Sequence, residues 1–324
     1  MLVSVPSPER PRLDRNRWHE PLVSVVVTHH NYSDHIEDAL LSVLDQTHPN
    51  WECVVIDDAS DADHLRRLQA ILQRIDSPRI RLFVQEDNTG QIPAFYHGLD
   101  VSYGEFVCLL DPDDRYDQTF MADMLDAHLN ETVYCPIACA DQIVLRNDEQ
   151  ITGIYSPLPL RFLKKDRRSG YVPLPDMPSD RMFYIPPHKR GWHWTSTSAM
   201  MFRRAACQLM RPHRKLAYKR AADSYLAKGA HMLGGTLRLT RPLVYRSVHP
   251  DNSYMSDAVF ATVQGKRKPG GTAVGHLCRL DVIEAIKANG GEHHLIKTSR
   301  RWGLARLKRS LAKRWRNLTG RVVE

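Results

Sequence analysis

The sequence predicts an α/β fold built on a doubly wound, mostly parallel sheet, and three observations predict it. Short apolar, β-branched runs alternate with segments of helical periodicity from Pro21 to Leu145. The acidic residues Asp57 and Asp58, and again Asp111, Asp113 and Asp114, follow directly on such runs, at the strand ends where open α/β sheets bind ligands. At 324 residues the chain is long enough for one large or two medium domains.

Residues 1–20, rich in Pro and Arg, read as an extension. Leu22 to Thr28 reads as the first strand. A helix is expected from about Asp34, with Glu37 placed for a capping box and Ile36, Leu40, Val43 and Leu44 on one face. Cys53 to Ile56 gives a second strand, Leu65, Leu68, Leu72 and Ile75 a helical face, and Ile80 to Val84 a third strand. Pro93 to Val101 suits a helix and Phe106 to Leu110 a fourth strand. Met121, Met124, Leu125 and His128 follow a helical period, and Ile137 to Leu145 returns to strand. From Thr152 to His188 seven prolines break the pattern, which reads as a long irregular excursion of the kind that forms lids or binding loops. Thr195 to Phe202 then reads as strand, Asp223 to Lys228 as part of a helix, and Gly235 to Ser247 as strand.

Net charge is +8, but residues 297–324 hold ten Lys or Arg against one acid, a balance of +9 that leaves about −1 for everything before them. The basic character therefore belongs to a tail. Within it Leu304, Leu307, Leu311, Trp315 and Leu318 recur at three- and four-residue steps among cations, the pattern of a basic amphipathic helix. Such a helix suits an anionic membrane surface or the chain's own catalytic domain, whereas nucleic acid is not expected because no recognition module accompanies the charge. No run of about 18 apolar residues occurs, and the first residues lack a signal-peptide core, so a cytoplasmic location is expected, with peripheral contact at the inner face of the membrane. The six cysteines are scattered through apolar runs, as small buried hydrophobes are.

Three carboxylates within four residues, Asp111, Asp113 and Asp114, pose an electrostatic problem. At about 4 Å such charges repel by on the order of 4 kcal/mol at an effective dielectric near 20. Either water solvates an acidic turn, or a divalent cation compensates, with substrate phosphates completing its shell.

Other residues decide between these. Val23 to Tyr32, Ala39 to Thr47, Val54-Val55-Ile56-Asp57-Asp58-Ala59-Ser60, and the spacing of Asn88, Gly90, Gly98, Leu99, Gly104 and Glu105 into Leu110-Asp111-Pro112-Asp113-Asp114 together resemble the inverting family 2 glycosyltransferases of the GT-A fold. The resemblance runs through residues 21–255 and includes a DxD-type motif. It implies a nucleotide-sugar-binding part at 21–150 and an acceptor-binding and catalytic-base part at 151–255, and the charge and spacing beyond them read as a C-terminal helical basic tail at 256–324. It implies transfer of a sugar from a nucleoside diphosphate sugar, UDP-sugar favoured, to a glycan or lipid-linked hydroxyl, with Mn2+ or Mg2+ as cofactor.

Carried over by position, Thr28 and His30 flank the nucleobase, Asp58 accepts from it and Asp57 shapes the turn. Asp113 faces the nucleotide, Asp114 takes the metal first and Asp113 second, and Asp111 supports them. His249 approaches the metal or the diphosphate, or is structural. Asp223, in Ala222-Asp223-Ser224-Tyr225-Leu226, stands where the family keeps its catalytic base, although an Asp there also suits a helix cap. The usual basic residue before Gly98 is missing from Ala94-Phe95-Tyr96-His97. Trp192 and Trp194 offer aromatic faces for an acceptor sugar, or core packing. A non-catalytic nucleotide-sugar binder or scaffold of the same fold is the rival reading.

Overall fold

Seven consecutive buried residues, Val23–His29, form β1, the strand on which the rest of the sheet is assembled. In the computed structural model, which describes residues 20–129, 133–146, 149–155, 172–173, 182–189, 191–249 and 271–295, helix α1 (Ile36–Leu44) follows it. Then come β2 (Trp51–Asp57), α2 (Ala62–Ile75), β3 (Ile80–Val84), α3 (Gln91–Asp100) and β4 (Phe106–Leu110). β1 pairs in parallel with both β2 and β4, and β3 lies outside β2. Alternate side chains supply two cores. Val23, Val25 and Val27 join Leu40, Leu68 and Phe120 on one face, while Val26, Val54 and Leu109 join Ile92, Phe95 and Leu99 on the other. That is the doubly wound arrangement the alternating pattern predicts.

Beyond β4 the pairing changes sense. A short β5 (Asp114–Tyr116) and α4 (Phe120–His128) lead to β6 (Ile137–Arg146), with β7 (Glu149–Tyr155) antiparallel to it. β8 (Val172–Pro173), β9 (Met182–Ile185) and β10 (Met200–Arg203) follow, then α5 (Arg204–Leu209), α6 (Ala222–Gly234), β11 (Thr236–Ser247) and α7 (Gly271–Ala288). The path through the sheet is β3-β2-β1-β4-β10-β6-β11-β9-β8, so β10 enters antiparallel between two strands that precede it. β5 lies off this path, antiparallel to β11, with Asp114 opposite Arg246.

Three expectations are corrected. Helix α1 starts at Ile36 without a side-chain cap, because Glu37 pairs instead with Arg74 of α2 at 2.8 Å. The excursion from Thr152 contains sheet: β9 fits between Pro178 and Pro186 and pairs with β11. Of Thr195 to Phe202 only the end is strand. Thr197–Ala199 turns as a 3-10 helix, with Thr195 Oγ1 donating to the Ala140 carbonyl and the Ser196 amide to Gln142 Oε1.

The six cysteines are buried and free. α7, inside the segment expected as tail, packs on α6 through Cys278, Val282 and Ile286. The amphipathic pattern from Leu304 to Leu318 lies outside the described residues. No described helix is long and apolar enough to cross a membrane.

Candidate active site

The carboxyl ends of β1 and β2 form one edge of the site. His29 Nε2 accepts from the Tyr32 amide at 3.3 Å, so its proton sits on Nδ1 and is donated to Asp57 Oδ1 at 2.7 Å. Ser60 also donates to Asp57 through its amide and hydroxyl. Burial works to raise the Asp57 carboxyl, but the bonds from His29 and Ser60 outweigh it and hold the group below the ordinary carboxylate value. Asp57 thus closes a turn in which Asn31 and Ala59 both take left-handed backbone, φ 59° and 57°. Thr28, the penultimate residue of β1, is buried at 9 % exposure, and His30, just past the strand end, is exposed.

Asp58, 4 % exposed, accepts from the Thr89 amide and hydroxyl on Oδ1 and from the Gly90 amide on Oδ2. Gly90 needs to be glycine: its φ is +98°, and a Cβ would lie 2.7 Å from the Lys219 backbone. Lys219 in turn reaches Asn88 at 2.9 Å, which brings an ammonium to the edge where the family's basic residue is absent from α3.

The acidic cluster follows β4, and tertiary contacts divide its labour. Asp114 is 2 % exposed. Its Oδ2 accepts from the Ser198 hydroxyl at 2.6 Å and its Oδ1 from the Ser247 amide at 3.2 Å. Asp113 Oδ2 lies 3.2 Å from His249 Nε2. Asp111 Oδ1 accepts from Gln91 at 2.7 Å. Burial and the neighbouring Asp113 push the Asp111 carboxyl up to about 7, against the pull of Arg246 and Gln91. Burial, Asp113 and Asp111 hold Asp114 well above the ordinary range.

These shifts mark negative charge that the protein itself leaves undercompensated, and a divalent cation suits it. Among the described residues no group of three or more His, Cys, Asp or Glu is arranged to hold an ion alone. Asp114 and Asp113 are the oxygen donors at hand.

On the opposite side Asp223 sits in the first turn of α6, just after Ala221, whose φ of 81° is left-handed. It is not the N-cap; its Oδ1 accepts from the Ser224 amide at 2.6 Å. Burial raises its carboxyl above the ordinary value, with the Ser224 amide, Lys228 and Arg246 opposing. The charge of Arg246 is thus felt by Asp111, Asp114 and Asp223 together. Sequence reasoning missed Arg246, Ser198 and Gln91 as site residues. Only Arg246 carried a signal, its place three residues before His249. That histidine stacks on His35 at 4.1 Å and meets Tyr32 edge-on at 5.8 Å, joining the β1 turn to the end of β11.

Of the two tryptophans expected to face an acceptor, Trp194 is 1 % exposed and donates from its indole to Thr236 Oγ1, so it is a core side chain. Trp192 is 38 % exposed and meets Trp194 at close to a right angle, ring centres 5.3 Å apart.

A mostly parallel sheet wound on both faces, with acidic residues following β2 and β4, defines an α/β protein of the GT-A type. The crystal structure of S. aureus TarS 1-349 in complex with UDP-GlcNAc shares this fold at a TM-score of 0.51 and 18 % identity, covering 84 % of this chain and 72 % of that one. The chain belongs to Glycosyl transferase family 2, whose profile matches residues 24–186, half of its length. Among relatives, a protein named as the teichuronic acid biosynthesis glycosyltransferase TuaG of Bacillus subtilis is 37 % identical over 107 residues, 33 % of this chain and 42 % of that one. An uncharacterized glycosyltransferase of Nostoc sp. is 26 % identical over 249 residues, 77 % of this chain and 71 % of that one. The chain therefore spans less than half of TuaG.

Proposed function

We propose that this protein is an inverting glycosyltransferase that moves a sugar from a nucleoside diphosphate sugar, UDP-sugar favoured, to an acceptor hydroxyl in the making of a cell-envelope polysaccharide. The observation that carries the reading is that Asp223 lies near enough to the acidic cluster for its charge to act on Asp111, while the charge of one guanidinium, Arg246, acts on Asp111, Asp114 and Asp223 alike. The family supports the chemistry. Relatives named for teichuronic acid and colanic acid biosynthesis support the envelope setting, and TarS, solved with UDP-GlcNAc and with UDP, supports the donor class.

In this reading Asp58 keeps one lone pair on Oδ2 for a nucleobase N–H, between Thr28 and His30. Asp114 and Asp113 hold Mn2+ or Mg2+, which supplies positive charge to the leaving diphosphate. Arg246 and His249 lie beside the same phosphates, and Asp111 supports the cluster through Gln91. Asp223 takes the proton of the acceptor hydroxyl as its oxygen bonds to the anomeric carbon, while the bond from that carbon to the phosphate oxygen breaks and the nucleoside diphosphate leaves. The raised pKa of Asp223 suits a base at neutral pH, and buried Trp194 backs Trp192, whose exposed ring meets the acceptor sugar.

Incubation with UDP-, GDP- and dTDP-sugars and MnCl2 tests the reading. Donor turnover is expected with wild type, and Asp223→Asn lowers it by about 10²- to 10⁴-fold while UDP binding persists. Binding without turnover in wild type returns the scaffold reading; wild-type rates in Asp223→Asn remove the base.

A further inference from the structure

A cavity of about 60 Å³ lies beside α6 and α7, and none of the acidic cluster lines it. A water needs only about 10–15 Å³ of such space, so this one admits a larger group. Lys189, Lys228 and Arg279 line it with His188, Trp194 and His231, and none of its lining residues is acidic. A small space lined by three basic residues and no acid favours an anion.

The cavity is built on buried bonds. The Trp194 indole donates to Thr236 Oγ1 at 3.1 Å, the Thr236 hydroxyl donates to His231 Nδ1 at 2.9 Å, and His231 Nε2 donates to the Lys189 carbonyl at 3.1 Å. A carbonyl only accepts, so His231 is fixed as the Nε2-protonated tautomer. Burial holds its pKa at about 4, which keeps it neutral and the chain of bonds intact at neutral pH. This chain anchors the backbone that carries Lys189. Lys228 is anchored separately: its Nζ donates to the Gly275 carbonyl at 2.8 Å and lies 5.9 Å from the Trp192 ring. A Cβ on Gly275 would come within 2.8 Å of that ammonium.

Lys228 also ties the cavity to the reaction. It stands five residues after Asp223 on α6, and its charge reaches that carboxylate. Trp192, the exposed ring on this side, lies next to it. A molecule with a hydroxyl at Asp223 can therefore set a second group among Lys189, Lys228 and Arg279.

We propose that this cavity is an oxyanion subsite for the acceptor, holding a phosphate or carboxylate of an anionic glycan while a neighbouring hydroxyl lies at Asp223. The acceptor role rests on the glycosyl-transfer reading, whereas anion binding does not.

The test follows the indole N–H signals of Trp192 and Trp194 in the 15N-labelled full chain during titration with inorganic phosphate and, separately, acetate, with and without UDP. Saturable displacement by at least one anion, in the presence of UDP as well, is expected. Lys189→Glu and Arg279→Gln each weaken it by about tenfold or more, the loss expected for a charge-assisted bond. Saturation by phosphate alone assigns a phosphate, and by acetate alone a carboxylate. No saturable displacement with either, or undiminished saturation in both variants, overturns the subsite. UDP failing to bind while an anion saturates removes the transfer reading and leaves the anion site; UDP binding without anion saturation does the reverse.

Discussion

The Ser198 hydroxyl donates to Asp114 Oδ2 at 2.6 Å and accepts from the Asp111 amide at 3.2 Å, so one residue from the turn before β10 ties both ends of the acidic cluster. Ser198 is fully buried, and water has no ready access to replace it. Ser198→Ala should cost about 1–3 kcal/mol of stability, the range for leaving a buried acceptor without its donor. Urea unfolding of the two proteins measures it; equal midpoints and slopes would show that the bond contributes nothing.

Arg246 lowers the pKa of Asp223 from the value that burial alone would impose. Arg246→Gln therefore raises the Asp223 pKa, and the acidic limb of the kcat/KM profile moves to higher pH. Loss of a preorganised charge beside the diphosphate should also reduce turnover by on the order of 10²-fold. A reduced rate with an unmoved acidic limb would separate Arg246 from the base.

If Asp114 and Asp113 hold the cation, ligand and metal must stabilise the fold together. At a concentration one hundred times Kd, binding adds about 2.7 kcal/mol. The melting temperature should rise with UDP and MnCl2, fall back on adding EDTA, and show no metal-dependent increment in Asp114→Asn.

Two buried histidines set an acid limit on stability. Burial holds His128, which donates to the Met201 carbonyl, at about 3, and His231 at about 4, against about 6.5 in an unfolded chain. Between those values the folded state binds fewer protons, so this contribution is complete above about pH 6.5 and is lost as pH falls through the folded values. Each group adds a slope of up to about 1.4 kcal/mol per pH unit. Asp111, raised to about 7, works in the opposite sense, because the folded state holds its proton longer and loses stability as pH rises toward that value. The diagnostic is therefore the difference: His128→Gln should flatten the dependence of unfolding free energy on pH between 4 and 6.5 relative to wild type, and parallel curves would refute the assignment.

Much of the fold was legible because the strands of the first half are continuous apolar runs, a pattern imposed by burial on both faces. Val23–His29, Ile80–Val84 and Phe106–Leu110 match the sequence reading closely. Thr195 to Phe202 was harder, since an apolar run with Thr and Ser suits either strand or turn, and side-chain bonds to Ala140 and Gln142 make the turn. Trp194 could not be assigned to core or acceptor locally, because its partner Thr236 lies 42 residues away.

The sequence by itself determined the alternating α/β architecture, the family, and which acids stand at strand ends, because periodicity and turn chemistry act over a few neighbouring residues. Only the tertiary structure decided what surrounds those acids. The pairing of β5 with β11 sets Asp114 opposite Arg246 across 132 positions of chain, and the antiparallel entry of β10 brings Ser198 to the same carboxylate. Partners so distant are chosen by sheet pairing and burial, whose free energies belong to the assembled core and leave no local mark in the order of residues.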